Sequence, residues 1–381
     1  SEAFGPEGAL VCYSVKANGN LSVLRLLKDE GSGFDIVSGG ELTRLRRVGA
    51  DFSKVVYAGV GKTADEIRAA IRAGVLLFNV ESEPELAALD ALASGLGSRA
   101  RAALRINPDL EAGGHAHIST GKHGHKFGLP LAEARAAAKA ALGMRGVEIA
   151  GVHLHIGSQI TETGPHAEAA RIGAAFADEL RNLGHPIRYL NLGGGFGIDY
   201  RGGEAKPVAE FAEAVRPAVK ASGLRLILEP GRFLVGAAGV LLARVLYVKK
   251  SAGKRFVIVD AAMNDLIRPA LYDAFHRILP SSLEPGLEGS PTAADAPAAD
   301  WEPADIVGPV CETGDAFARD RMLPQVCAGD LVAIFCAGAY GFSMSSNYNA
   351  RPRAAEVIVE DRETRLSRAR ETAEDLMRGE A

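Results

Sequence analysis

Val11-Cys-Tyr-Ser-Val-Lys-Ala-Asn18 is a short apolar run that stops on a lysine, followed by small and amide residues. It reads as a β-strand that delivers an amine to whatever lies beyond its end. Most strand-terminal lysines are simply solvated. Burial in a pocket would instead depress the pKa of Lys16 and free it as a nucleophile. Outward from this stretch the same pattern recurs. Apolar runs fall at 9–15, 34–37, 55–58, 76–80, 102–106, 149–156, 189–192 and 224–228. Amphipathic stretches lie between them, among them 64–73, 84–93, 131–142, 166–183 and 208–221. Eight βα repeats are the count of a closed parallel barrel, whose catalytic groups belong at the C-terminal strand ends. Lys16, Asp35, Asn79, Asn107, His155, Gly193 and Glu229 each end or follow a run. An open doubly wound sheet also alternates, but it would not bring strands one and eight together.

Beyond residue 240 the pattern changes. The runs 240–249, 255–260, 304–310, 330–335 and 354–359 read as strands separated by turns, with little helix. This predicts a barrel domain over 9–239 and a β-rich domain over 240–381 that ends in a helix at 367–379. The stretch 284–300 is rich in Pro, Ala, Gly and Asp and reads as a flexible surface loop. With 381 residues and 47% hydrophobic content, the chain can bury cores for both domains.

Composition narrows the function. A net charge of −4 without a basic stripe speaks against nucleic acid. No apolar run approaches the length of a membrane span, and no signal peptide is evident. Cys12, Cys311, Cys327 and Cys336 form neither a CxxC pair nor a zinc-ligand spacing, which suits a reduced, cytoplasmic setting.

Several motifs carry chemistry, each with a plainer alternative. Glu229-Pro-Gly-Arg232 closes a strand with an acid, and Arg232 could be its salt-bridge partner. Gly193-Gly-Gly195 lets bare backbone N–H groups approach an anion, although glycine runs also make ordinary turns. It lacks the spacing and acidic partner of a dinucleotide fingerprint. His153 and His155 lie two apart in the run 149–156 and would face one side of a strand. No third ligand is demanded there, and the cluster His115, His117, His123 and His125 reads as a polar loop, so no metal is expected. Cys311-Glu-Thr-Gly-Asp315 follows an apolar strand; a cysteine beside two acids and a glycine suits an exposed turn better than a core.

Taken together with Phe34-Asp-Ile-Val-Ser-Gly-Gly40 and His153-Leu-His-Ile-Gly-Ser-Gln159, these motifs resemble the fold-type III decarboxylases that use pyridoxal 5'-phosphate. The resemblance runs from about Ala9 to the C-terminus. It implies an eight-stranded parallel (β/α) barrel with a C-terminal β-rich domain, and pyridoxal phosphate as cofactor. Lys16 would bind the cofactor covalently, and Glu229 would hold its ring nitrogen. His155 would stack on the ring, Gly193, Gly194 and Gly195 with Ser158 and Tyr348 would hold the phosphate, Arg232 would lie near the substrate or phosphate, and Gly231 would help bind the cofactor. Cys311 would donate a proton after carbon dioxide leaves, on a loop that reaches across a homodimer so that active sites are shared.

The resemblance also implies an amino-acid substrate. Glu312, where ornithine-type relatives carry aspartate, would bind a distal ammonium. With Arg232, Arg268, Tyr272 and Tyr348 it suits a substrate carrying both amine and carboxylate at its far end. The resemblance implies that this substrate would be meso-2,6-diaminopimelate, decarboxylated to L-lysine. A decarboxylase of another basic amino acid or of a carboxylated polyamine is the neighbouring alternative. An alanine-racemase-like enzyme would need a tyrosine base where Cys311 stands. A non-catalytic cofactor-binding regulator is disfavoured by the presence of Lys16, Glu229 and Cys311. Members of the family usually carry several dozen residues before the lysine and only fifteen precede it here. The expectation is that residues 1–8 are the remnant of a helix before the barrel.

Overall fold

A parallel strand covered on both faces must be apolar along its length, and the first two thirds of the chain supply such strands in succession. The computed structural model describes residues 2–4, 8–108, 126–201, 205–282 and 301–381. It contains β1 (Leu10–Ser14), β2 (Gly33–Ile36), β3 (Val55–Tyr57), β4 (Leu77–Val80), β5 (Ala100–Asn107), the two-residue β6 (Leu129–Pro130), β7 (Val147–His153), β8 (Tyr189–Asn191) and β9 (Arg225–Leu228). Every residue of β2, β3 and β4 is buried. The order β4-β3-β2-β1-β9-β8-β7-β5 closes on itself through β4–β5, with β6 appended to β5. This is a closed eight-stranded parallel barrel.

Between the strands lie α1 (Leu21–Asp29), α2 (Gly39–Val48), α3 (Ala64–Ala73), α4 (Glu83–Gly95), α5 (Leu131–Ala141), α6 (Gly164–Asn182) and α7 (Val208–Ser222). Asn20, Ser38, Thr63 and Ser82 cap the first four by accepting backbone N–H groups. Gly49 and Gly74 end α2 and α3 in the left-handed region, at φ 68° and 76°. Such local start and stop signals return the chain to the same end of the barrel each time, so the strand ends share one mouth.

The barrel unit comprises Ser1–Gly197 and Lys206–Gly231; a second unit comprises Ile198–Ala205 and Arg232–Ala381. The second contains α8 (Arg232–Val235), β10 (Leu241–Ser251), β11 (Lys254–Val259), α9 (Arg268–Tyr272), β12 (Ile278–Pro280), β13 (Glu302–Val307), β14 (Ala316–Leu323), β15 (Leu331–Ile334), β16 (Glu356–Glu360), β17 (Glu363–Arg368) and α10 (Ala373–Leu376). Its main sheet runs β12-β15-β10-β11-β13-β14, and β16 and β17 form a separate hairpin. Val245, Val257, Val259, Ile306, Phe317, Leu323, Val332 and Ile334 make its core.

Several boundaries differ from the sequence expectations. The strand expected over 304–310 stops at Val307, because the Asp315 carboxylate accepts the Val310 N–H and folds the chain into a turn. The helix expected over 367–379 reduces to the single turn α10, preceded by β17. The strands β14 and β17 escape a search for apolar runs because they carry ARDR and ETR segments. The cluster His115, His117, His123 and His125 and the stretch 284–300 lie outside the described residues. Among the described residues, no helix is long and apolar enough to cross a membrane.

Candidate active site

A single 3-10 turn, Val15–Ala17, follows β1 and carries Lys16 at the barrel mouth. Its Nζ lies 3.0 Å from Asp35 Oδ2, and the side chain is 39% exposed, so the amine is ion-paired and half-buried instead of sunk in an apolar pocket. Ser14 Oγ sits 2.7 Å from the same carboxylate oxygen and 2.9 Å from the Glu229 carbonyl. Burial raises the Asp35 pKa, the Glu229 charge adds to this, and the Lys16 ammonium opposes it; the net shift is upward. Asp35 Oδ1 is buried without a hydrogen-bond partner among the described residues.

Glu229 is buried just past the end of β9. Asn79 Nδ2 and Asn191 Nδ2 both donate to its Oε1, at 2.9 and 2.6 Å. His153 Nε2 approaches Oε2 at 3.3 Å, outside hydrogen-bond alignment. Burial alone would push this carboxyl pKa up. The charge and contact of His153, the Lys16 ammonium and the Asn191 amide outweigh burial and hold it well below the usual carboxylate range. Glu229 is therefore an anion fixed by its neighbours, among them Asn79, Asn191 and His153.

Asn191 serves twice, because its Oδ1 also accepts the Gly193 N–H at 2.9 Å. The glycine loop is thus tied to the carboxylate through one side chain. A Cβ at Gly194 would lie 2.2 Å from the Glu229 carbonyl oxygen, and one at Gly195, at φ 94°, would lie 2.4 Å from that of Gly157. Only glycine fits. At Gly231 a Cβ would stand 3.0 Å from those of Ser14 and Ala17, directly behind the lysine turn.

β7 ends at His153, so His155 lies just past the strand that carries His153. Beyond that point Leu154 N–H donates to the Asn191 carbonyl, and the Gly194 N–H donates to His155 Nδ1 at 3.2 Å. That bond places the ring proton on Nε2. Burial, with the nearby Arg105 and Lys16 charges, lowers the His155 pKa well below 6.5 and keeps the imidazole neutral. Ser158 follows in the same segment and is half-buried.

In the second unit, Arg232 and Arg268 meet on Tyr200. Arg232 Nη1 donates to the Tyr200 hydroxyl, and the Arg268 guanidinium lies 4.6 Å over the Tyr200 ring. Tyr340 receives Arg232 on its own face at 4.9 Å. Arg268 is buried, and its pKa is lowered by burial; Arg232 adds to this, while Tyr200, Tyr340 and Tyr272 counter it. Tyr272 closes α9, four residues after Arg268, and is half-buried.

Cys311 and Glu312 lie exposed on the turn after β13. Asp315 holds this turn by accepting the Met263 and Val310 N–H groups at 2.7 and 2.8 Å. Cys311 N–H donates to Asn349 Oδ1 at 3.1 Å, which couples the cysteine to the turn bearing the exposed Tyr348. Glu312 lines an open groove of about 510 Å³ together with Lys249, Phe256, Val310, Asp315 and Arg319.

Sequence reasoning placed Asp35 and Asn79 at strand ends without assigning them a role, and did not single out Asn191, Tyr200 or His276. Asn191 stands directly before the glycine loop, which was the available signal. The pairing of Asn79 with Glu229, 150 residues apart, leaves no local trace. The barrel-mouth set suits a planar cofactor with a carbonyl for Lys16, a ring nitrogen for Glu229 and an anionic group for the glycine loop.

The chain is also similar to proteins already known. Residues 1–236 match the family model described as pyridoxal-dependent decarboxylase, pyridoxal binding domain. The chain is 48% identical over 379 residues to diaminopimelate decarboxylase of Neisseria meningitidis serogroup A, covering 99% of this chain and 90% of that protein. It is 44% identical over 364 residues to diaminopimelate decarboxylase of Aquifex aeolicus, covering 95% and 84%. Among solved structures it resembles diaminopimelate decarboxylase from Helicobacter pylori complexed with L-lysine, at 42% identity, coverage of 99% and 91%, and a TM-score of 0.92.

Proposed function

The chain belongs to the pyridoxal-dependent decarboxylases, and from that premise we infer that it is a carboxy-lyase converting meso-2,6-diaminopimelate to L-lysine and carbon dioxide, the last step of lysine biosynthesis. The observation that carries the chemistry is Glu229, a buried carboxylate held ionised beside the Lys16 amine. The substrate rests on the near full-length similarity to diaminopimelate decarboxylases.

Pyridoxal 5'-phosphate is the cofactor, and when bound it supplies an electron sink for the bond to the departing carboxylate. The barrel's own residues would prepare that chemistry. Lys16 would present the amine for covalent attachment, with Asp35, its ion-pair partner, orienting it. Glu229 would hold a proton at the ring nitrogen and so strengthen the sink. Neutral His155 would offer a flat face without a competing charge. The backbone of Gly193, Gly194 and Gly195, with Ser158 and Gly231, would hold the phosphate, and Arg232 and Tyr348 would assist on that side. Orphaned Asp35 Oδ1 supports the fit, since a buried acceptor without a partner is costly unless a ligand engages it.

For the substrate, Arg268 would grip the distal carboxylate with Tyr272 and Arg232, and Glu312 and Tyr348 would meet the distal amine. Cys311 would hold the proton that replaces the lost carboxylate. The exposure of Cys311 and Glu312 supports shared sites in a homodimer, with each loop serving the other subunit. A cytoplasmic setting rests on four unpaired cysteines.

Two experiments test this. Purified protein loaded with cofactor should release carbon dioxide from diaminopimelate and far less from L-ornithine or L-lysine. Comparable turnover of all three would end the substrate assignment. Mixing inactive Lys16→Ala with inactive Cys311→Ala should restore activity in heterodimers, one competent site per pair. If the subunits exchange and no activity returns, each site is built within one chain.

A further inference from the structure

Arg268 opens α9, a five-residue helix that Asp273 ends in the left-handed region at φ 50°. The chain then doubles back, and His276 returns beside the arginine. Both side chains are buried, at 6% and 0% exposure. Arg268 Nη1 lies 2.8 Å from His276 Nε2, and His276 Nδ1 lies 2.8 Å from the Phe335 carbonyl oxygen.

These two partners decide the tautomer. A carbonyl oxygen only accepts, so Nδ1 must carry the proton. A guanidinium only donates, so Nε2 must present its lone pair. His276 is therefore neutral. Burial, with the charges of Arg268, Arg232 and Arg321, lowers its pKa to about 4, consistent with that assignment. The Tyr200 ring, under the guanidinium, meets the imidazole at 77° with 5.2 Å between centroids. One face and one edge of Arg268 are thus fixed.

A carboxylate would hold an arginine more strongly, through two parallel bonds. It would also cancel the charge and occupy the fork. A neutral imidazole fixes the orientation and leaves the positive charge for an anion. Among the described residues Arg268 joins no ion pair, and unlike buried Arg255, which the Leu323 and Pro324 carbonyls hold, its side-chain hydrogen-bond partner is a neutral ring, so its charge is available to an anion.

We propose that His276 is a positioning residue for substrate recognition, aiming Arg268 at the distal carboxylate of diaminopimelate. The role rests on the proposed function of Arg268 and adds the device that orients it. Two substitutions separate aiming from simple packing. His276→Asn keeps an amide donor for the Phe335 carbonyl and loses the acceptor for Arg268. His276→Gln places an acceptor near the former Nε2 and gives up the bond to Phe335.

With holoenzyme of both variants, the expected result is a KM for diaminopimelate raised about tenfold in His276→Asn, the scale of one lost charge-assisted bond. Turnover number should stay within about twofold, because the bond acts equally on bound substrate and transition state. His276→Gln should stay within about threefold of the wild-type KM, because it restores the acceptor. In an Arg268→Ala background, His276→Asn should add no further loss, since the pair acts as one unit. If His276→Asn does not fold, His276→Leu, which removes both bonds, takes its place: a KM raised about tenfold in His276→Leu with a near-wild-type KM in His276→Gln supports the role, and equal KM values in the two overturn it. An unmoved KM in folded His276→Asn, or equal rises in both variants, also overturns it. A wild type that ignores diaminopimelate overturns the substrate reading together with this role. A wild type that consumes it, alongside an unmoved His276→Asn, overturns the role alone.

Discussion

Glu229 in the barrel and Arg268 in the β-rich unit are both buried single charges, and the chain treats them in opposite ways. Around Glu229, the ends of β4, β7 and β8 bring two amides and a histidine onto one carboxylate. These partners, with the Lys16 charge, overcome the cost of burial, and the pKa falls. Around Arg268, a short helix and two loops bring a ring and a neutral imidazole. Burial wins there, and the pKa falls away from the charged form. The fold completes the anion with its own partners. The cation joins no ion pair among the described residues, and in the proposed function its partner comes from the substrate.

The largest effect expected on this comparison is at Lys16, beside the completed charge. Lys16→Ala should abolish turnover and remove the visible absorbance band of the bound cofactor. A variant that keeps the band would mean that the amine of the barrel mouth is another residue.

Glu229→Gln should follow. It retains the shape of the side chain and loses the charge, so cofactor should still bind while kcat falls by a hundredfold or more, about 3 kcal/mol of barrier. Near-normal turnover, measured with cofactor occupancy checked by absorbance, would reduce Glu229 to a structural acid.

Arg268→Ala should lower kcat/KM for diaminopimelate by about 2–5 kcal/mol equivalents, the cost of leaving a buried charge unpaired. Residual turnover of L-ornithine, which lacks the distal carboxylate, should barely change. Equal losses on both substrates would show that Arg268 supports the fold and not the ligand.

The smallest effect concerns acid stability. Folded His276 titrates at about 4, against an ordinary value near 6.5, so the unfolded chain takes up its proton first as pH falls. Its contribution is whole above about pH 6.5 and is lost progressively down to about pH 4. Glu229, depressed in the fold, loses its share below the ordinary carboxylate range. Thermal melts across this window should show a shallower loss in His276→Gln than in wild type, by at most a few kcal/mol. An unchanged slope would mean that His276 does not titrate on unfolding.

The barrel was legible from residues alone for a physical reason. Parallel strands under helices are apolar on both faces, so they appear as continuous runs. Local signals such as Thr63 before α3 and Gly74 after it mark where the chain turns. The count of eight runs, with chemistry-bearing residues at their ends, determined the fold class and gathered Lys16, the glycine loop and Glu229 at one mouth. The β-rich unit was legible only in part. β14 and β17 lack an apolar run, and β13 ends early because Asp315, five residues on from Val310, takes a backbone N–H from it.

What only the tertiary structure decided is which groups meet. That Asn79 and Asn191 reach Glu229, that Asp35 reaches Lys16, and that a neutral His276 reaches Arg268 without cancelling its charge follow from strand closure and from a chain reversal at Asp273. Hydrogen bonds act over about 3 Å, while these partners stand between 8 and 150 residues apart along the chain. Periodicity along a sequence reports which side of an element is buried. It carries no information about which distant side chain arrives at the same point, and that arrival sets the protonation state each group will use.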